Sequence, residues 1–371
     1  MTTECWLARA VPQAQHLIPY VPGKPIETLL REKGLSHAIK LASNENPFGP
    51  PPKAIQAFKN SAEHLHLYPD GDAIRLKQAI AQHHKILPSQ IVVGNGSNEV
   101  LELIIRTFAG AGDEVIYSQK AFIVYALATT ASGATGIAVP DTAMLGHDLC
   151  AMADAITEKT KIICIANPNN PTGTLLGNDE IQAMLNRIPE HIIVLLDEAY
   201  TQFVTESIGD SVAKLSHPGL VISRTFSKAY GLAGCRVGYA IMDASVVSVV
   251  NRFREPFNVN LPAQEAAIAA LHDGAWVEDK VRYILEARQK LENELERLGV
   301  LGGQSYANFV LLKHPEAACL VNKLEDIGII VRPLAGYGMV DFLRITVGTE
   351  IENLHLVQAL ASILPTLSTA A

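Results

Sequence analysis

Four short segments of this chain hold residue types that could carry covalent chemistry together. Thr225-Phe226-Ser227-Lys228 sets a lysine beside two hydroxyls, and Arg236 stands eight residues beyond it. Most lysines are solvated surface cations. Burial or a cationic neighbour draws the amine's pKa down from roughly 10.4 and makes it a nucleophile. Asp197-Glu198-Ala199-Tyr200 follows the most apolar run in the sequence, which draws the Asp197 carboxylate inside. Alone, that aspartate reads as a helix cap, a structural ion pair, or the anion facing a cationic ring nitrogen. Gly94-Asn95-Gly96-Ser97-Asn98-Glu99 opens a helix and offers unpaired backbone N–H groups to a phosphate, or is an ordinary tight turn. It lacks the third glycine of a dinucleotide fingerprint, and the chain has no GxxxxGK[ST] loop. The fourth segment is Asn167-Pro168-Asn169-Asn170-Pro171-Thr172-Gly173.

These segments follow strand-like runs, and the elements around them must hold them together. Strands are expected at Gln90–Val93, Glu114–Tyr117, Lys161–Ala166, His191–Leu196, Leu220–Arg224 and Val237–Ile241. Helical spacing covers Asn98–Phe108, Phe122–Thr130 and Asp179–Arg187. Apolar strands alternating with amphipathic helices predict an α/β fold with a mainly parallel sheet covered on both faces. Ligands of such sheets collect at the carboxyl ends of the strands, where all four segments lie. A charged amphipathic helix is expected over Val277–Leu298, then a β-rich block at Phe309–Lys313, Ile329–Arg332 and Phe342–Val347. The proline-rich start reads as an extended arm followed by a helix over Ile26–Lys33.

A phosphate-binding helix start, an aspartate for a pyridinium and a lysine for a Schiff base make up a pyridoxal-phosphate site. The order of NPNNPTG, DEAY, TFSKAYGLAGCRVG and LRITVG resembles that of fold-type I aminotransferases and covers essentially the whole chain. Within them, IPYVPGKP, KLASNENPFGP, LYPDG, VVGNGSNEVLELIIRTF and GIIVRPLAGYGMVDFLRITVG resemble the histidinol-phosphate aminotransferase subfamily, class-II-like in type. The resemblance implies a large domain with a mainly parallel seven-stranded sheet and a smaller α/β C-terminal domain. The division would be an arm over 1–45, a cofactor domain over 46–265 and a small domain over 266–371, with the arm packed on the small domain.

By the same resemblance, Lys228 would hold pyridoxal 5'-phosphate covalently and then shuttle a proton, and Asp197 would keep the ring nitrogen protonated. Asn170 and Tyr200 would donate to the ring hydroxyl oxygen. Thr225, Ser227, Arg236 and the Gly96, Ser97 and Asn98 backbone would take the phosphate, with Tyr68 reaching it from the neighbouring subunit of a homodimer. Phe122 would stack on the ring where relatives often have tyrosine, so a hydroxyl is lost there, and Tyr125 is a second candidate. Arg344 would grip the substrate anion with Arg332, and Tyr20 and Asn44 would close over it. Arg332 also reads as a surface charge. The implied reaction is transamination between L-histidinol phosphate and 2-oxoglutarate in histidine biosynthesis. An aromatic-amino-acid aminotransferase and an amino-acid phosphate decarboxylase are the alternatives.

Composition narrows the classes further. The chain's 371 residues suggest about two domains at roughly 150 residues each. A hydrophobic share of 48%, a charged share of 18% and a net charge of −8 exclude a disordered chain and argue against nucleic acid or an acidic membrane as partner. The segment before residue 45 is too short and too weakly basic for a helix-turn-helix regulator module. Five scattered cysteines form no CxxC pair, and the N-terminus has no basic-then-apolar block, so a reducing, cytoplasmic setting is expected. The uncharged stretch Ala121–Pro140 holds too many threonines, serines and glycines for a membrane span and reads as helix, turn and strand. His64 with His66, and His83 with His84, read as solvated helix positions, and no metal is expected.

Overall fold

In the computed structural model, residues 3–17, 19, 23–204 and 209–367 are described. In chain order the strands among them are β1 Ile39–Leu41, β2 Ile91–Gly94, β3 Glu114–Ser118, β4 Thr135–Val139, β5 Thr160–Ala166 and β6 Ile193–Asp197. There follow β7 Leu220–Thr225, β8 Gly238–Ile241, β9 Phe309–Lys313, β10 Ile329–Pro333 and β11 Phe342–Thr346. A seven-stranded sheet has the order β2-β8-β7-β6-β5-β3-β4. All its pairings are parallel except those of β8, which runs against β2 and β7. Its central strands are buried on both faces, every residue of β6 and β7 included, which is why each opens on consecutive apolar residues (193–196 and 220–222) and turns polar only at its carboxyl end.

Helices cover both faces. Ser97–Phe108 buries Val100, Leu101, Leu103, Ile104 and Ile105, and Val124–Ser132 packs beside it. Asn178–Leu185 covers the opposite face through Ile181, Met184 and Leu185. The stretch Ala121–Pro140 is the helix Val124–Ser132, a turn at Gly133 and β4. Among the described residues no helix is long and apolar enough to cross a membrane.

A second sheet of four strands has the order β1-β10-β11-β9. Its first strand comes from the start of the chain: β1 lies parallel to β10, with Leu41 opposite Val331. Helix Ile26–Lys33 is fastened to the same block, Leu29 packing with Ala42 and Ile330 and Lys24 reaching Glu325 at 2.6 Å. The helix Gly274–Arg297 links the two sheets in sequence and buries Val277, Val281, Ile284 and Leu291 in the large core.

Two expectations need correction. The N-terminal arm is not wholly extended, because Thr3–Leu7 is helical and Pro12–Gln15 forms a 3-10 turn with its proline at the first turn, where a missing N–H costs nothing. His84 is not solvated. It ends helix Ile74–His84 with its side chain turned inward, Nε2 lying 2.7 Å from the Tyr239 hydroxyl. Burial drives its pKa down to about 3. His64 and His66 are exposed, His66 in a turn rather than a helix.

Candidate active site

The register of the large sheet brings its functional ends level. Ala166 pairs with Asp197, and Asp197 with Ser223, so β5, β6 and β7 release their loops at one edge. The chain turns outward from β3 to β4 and then returns to β5 on the other side of β3. That reversal opens a crevice at the carboxyl ends. A cavity of about 280 Å³ lies there, closed on its far side by residues of the four-stranded sheet.

Asp197 ends β6 with 5% of its surface exposed. Its Oδ2 accepts a hydrogen bond from the Tyr125 hydroxyl at 2.9 Å. Its buried Oδ1 has no hydrogen-bond partner among the described residues. Burial pushes the carboxyl up to about 6, while the Tyr125 hydrogen bond pulls it back. An unmet buried carboxylate oxygen is costly, and a cationic N–H of a bound ring would remove that cost.

Lys228 follows β7 on the return loop to β8. Its Nζ donates to the Ser43 carbonyl at 3.1 Å and lies 5.8 Å from the centre of the Tyr200 ring. Burial first, then the positive charges of Arg344 and Arg236, draw its pKa down to about 7. A substantial neutral fraction of this amine therefore exists near neutral pH, as a nucleophile or base requires.

A set of donors able to take an anion faces these groups. Gly96 has φ +86 and precedes the first turn of helix Ser97–Phe108, so backbone N–H groups point outward. The Arg236 guanidinium lies so close over Gly96 that a β-carbon there would sit 2.3 Å from its Nη2. Arg236 donates to Ser227 Oγ at 3.3 Å, and the Ser227 amide donates to Thr225 Oγ1 at 3.1 Å. Because β8 returns antiparallel to β7, Arg236 and Ser227 meet across one loop.

The opposite wall is built for an anion. Arg332 on β10 is the direct register partner of Arg344 on β11, which sets the two side chains on one face. Arg344 is 8% exposed, donates to Asn170 Oδ1 and to the Ala42 carbonyl, and stands over the Phe309 ring. Asn44, just after β1, adopts φ 53. Its amide donates to the Tyr200 hydroxyl at 2.9 Å, and its backbone N–H to Thr346 Oγ1 at 2.8 Å. A non-glycine residue held in that region marks a locally constrained backbone.

Of the residues singled out in the sequence, Asn44, Ser97, Asn98, Phe122, Asn170, Asp197, Tyr200, Thr225, Ser227, Lys228, Arg236, Arg332 and Arg344 line this one cavity. Gly96 backs its phosphate end. Tyr68 stands apart, 83% exposed and stacked on Phe257 at 4.8 Å. Tyr20 lies outside the described residues. Tyr125 is not a second stacking platform: it is fully buried, its ring perpendicular to Phe122, with its hydroxyl on Asp197. Sequence reasoning missed Tyr337 and Glu45, which also line the cavity. Both lie within segments already tied to the site, LAGYGM and SNEN, and that adjacency was the readable signal. Among the described residues no cluster of histidine, cysteine, aspartate or glutamate could hold a metal ion.

The donor set fits pyridoxal 5'-phosphate on three independent counts. A buried carboxylate has one oxygen unmet, an arginine overhangs a helix start, and a lysine titrates near neutrality.

Comparison with known proteins follows the same line. Residues 36–360 match the family model for aminotransferase class I and II. The chain is similar to histidinol-phosphate aminotransferase 2 of Hydrogenovibrio crunogenus, 46% identical over 98% of this chain and 98% of that one. It is similar to histidinol-phosphate aminotransferase 1 of Mannheimia succiniciproducens, 47% identical over 97% and 99% of the two chains. Among solved structures it resembles the histidinol-phosphate aminotransferase of Sinorhizobium meliloti in complex with pyridoxal-5'-phosphate, at 29% identity and TM-score 0.90 over 97% and 98% of the two chains.

Proposed function

We infer, on the premise that this chain belongs to the aminotransferase class I and II family and uses pyridoxal 5'-phosphate, that it moves an amino group between L-histidinol phosphate and 2-oxoglutarate in histidine biosynthesis. The observation that carries the substrate choice is the pair Arg332 and Arg344, side by side on one cavity wall. Two guanidinium forks can receive a phosphate dianion or a carboxylate in the same place. Histidinol phosphate brings the first anion, and glutamate or 2-oxoglutarate the second. Near full-length likeness to proteins of that name supports the same choice.

When bound, pyridoxal 5'-phosphate supplies an aldehyde that captures amines and a cationic ring that accepts the electron pair released at the adjoining carbon. The chain's own residues prepare that chemistry. Arg236, Ser227, Thr225 and the Ser97–Asn98 helix start would hold the phosphate group. Asp197 Oδ1 would receive the ring N–H. Asn170 and Tyr200 would donate to the ring hydroxyl oxygen, and Phe122 would offer its face to the ring. Lys228 Nζ would anchor the aldehyde carbon and, once free, would take the proton from the substrate carbon that bears the amine and deliver it to the carbon on the other side of that nitrogen. Asn44 and Tyr20 close over the substrate.

The same proposal makes the enzyme a cytoplasmic homodimer, with Tyr68 reaching the neighbouring subunit's phosphate, and divides the chain at residues 45 and 265. The exposure of Tyr68 supports its availability to a partner.

The test is a set of half-reactions followed by the visible absorbance of the loaded protein. Histidinol phosphate should convert the cofactor with a kcat/KM at least about tenfold above phenylalanine, the least that one hydrogen bond to a charged group confers. Faster conversion by phenylalanine would replace this reading with an aromatic aminotransferase. Carbon dioxide release from threonine O-phosphate would replace it with a decarboxylase.

A further inference from the structure

We propose that Tyr125 is a positioning residue for the cofactor's ring nitrogen: its hydroxyl occupies Oδ2 of Asp197, leaving Oδ1 to meet the ring and keeping the carboxylate ionised there. This rests on the reading that Asp197 faces that nitrogen. Tyr125 is fully buried at the start of helix Val124–Ser132, and its hydroxyl lies 2.9 Å from Oδ2. The two carboxylate oxygens are thus unlike: one is taken by a donor, and the other has no partner among the described residues.

The other titratable groups around Asp197 are Cys164, Glu198, Tyr200 and Lys228. Glu198 turns to the far side, where Arg224 Nε holds it at 2.9 Å. The Tyr200 hydroxyl accepts from Asn44, and Lys228 Nζ donates to Ser43. Burial pushes the Cys164 thiol up and keeps it neutral. Tyr125 therefore supplies the side-chain hydrogen bond that, with the Ala199 backbone N–H and the Lys228 charge, offsets burial at this carboxylate. A hydrogen bond to a charged acceptor in a dry site favours the ionised form. An ionised Asp197 in turn favours a protonated ring nitrogen.

The test uses the protein loaded with pyridoxal 5'-phosphate labelled with nitrogen-15 in the ring, and reads protonation directly from the nitrogen chemical shift across pH. Cofactor dissociation constants are measured in parallel for Tyr125→Phe, Asp197→Asn and the double variant. Wild type should keep the ring nitrogen protonated through pH 8, whereas Tyr125→Phe should release that proton at a lower pH. Its cofactor dissociation constant should rise about tenfold, as expected for losing a charge-assisted hydrogen bond. In the Asp197→Asn background the same tyrosine change should alter the constant less than about twofold, because the two residues act as one unit.

An unmoved nitrogen shift in Tyr125→Phe, or losses that simply add in the double variant, would overturn the proposal. If Tyr125→Phe fails to fold, 3-fluorotyrosine at position 125 keeps the shape and strengthens the donor. It should hold the ring proton to a higher pH than wild type, and no change or the opposite shift overturns the proposal. Failure of the underlying reading looks different: wild type itself would bind no cofactor, or its ring nitrogen would be indifferent to Asp197→Asn.

Discussion

Lys228 carries a penalty that can be measured without substrate. Its amine has a pKa near 7 in the fold against about 10.5 when unfolded. Between those values the unfolded chain binds more protons, so stability must rise with pH across that window and level off above it. In cofactor-free protein, the stability of wild type relative to Lys228→Met should therefore increase from about pH 7 to about pH 10.5, by at most about 1.4 kcal/mol per pH unit. Urea unfolding at four pH values reads this, and a flat difference would show that the amine is not desolvated. At this scale the sequence was informative wherever chemistry follows a strand. Asp197, Lys228, Asn170 and Arg236 could be picked out because buried strands must end in loops at one edge. Tyr125 and His84 could not be assigned, because which way a helical side chain turns is decided by the partner it meets, Asp197 for one and Tyr239 for the other.

At the scale of elements, the strands of the large sheet were legible because burial on both faces leaves short apolar runs, as in residues 193–196 and 220–222. The three-residue strand Ile39–Leu41 was not, since its reason to exist is Ile329–Val331, far along the chain. Nor was the reversed direction of β8, which sequence pattern does not encode. That reversal sets Arg236 beside Ser227 and over Gly96. Gly96 has two reasons to lack a side chain: its φ of +86 and the guanidinium above it. Gly96→Ala should push Arg236 out of place and weaken cofactor binding by about tenfold, the loss of roughly one charge-assisted hydrogen bond. An absorbance titration with pyridoxal 5'-phosphate measures it, and an unchanged dissociation constant would remove Arg236 from the phosphate site.

At the scale of the whole molecule, the exposed stack of Tyr68 on Phe257 is the feature to test. Sedimentation equilibrium should give twice the chain mass. Tyr68→Ala should keep that mass while raising the cofactor dissociation constant several-fold, as removal of one hydrogen bond does. A monomer that binds cofactor as tightly as wild type would make Tyr68 an ordinary surface residue.

The pairing of β1 with β10 also sets an order of events during synthesis. The seven-stranded sheet is complete once Ile241 has left the ribosome, and with it Asp197, Lys228 and the phosphate cradle. The strand made first, Ile39–Leu41, must wait beside that growing body until Ile329–Pro333 is translated. Asn44 and Arg344 can face the cavity only then. On the proposed roles, a nascent chain would own a vitamin-binding half before it owned a specificity half, and the last hundred residues to be translated would decide what the finished catalyst accepts.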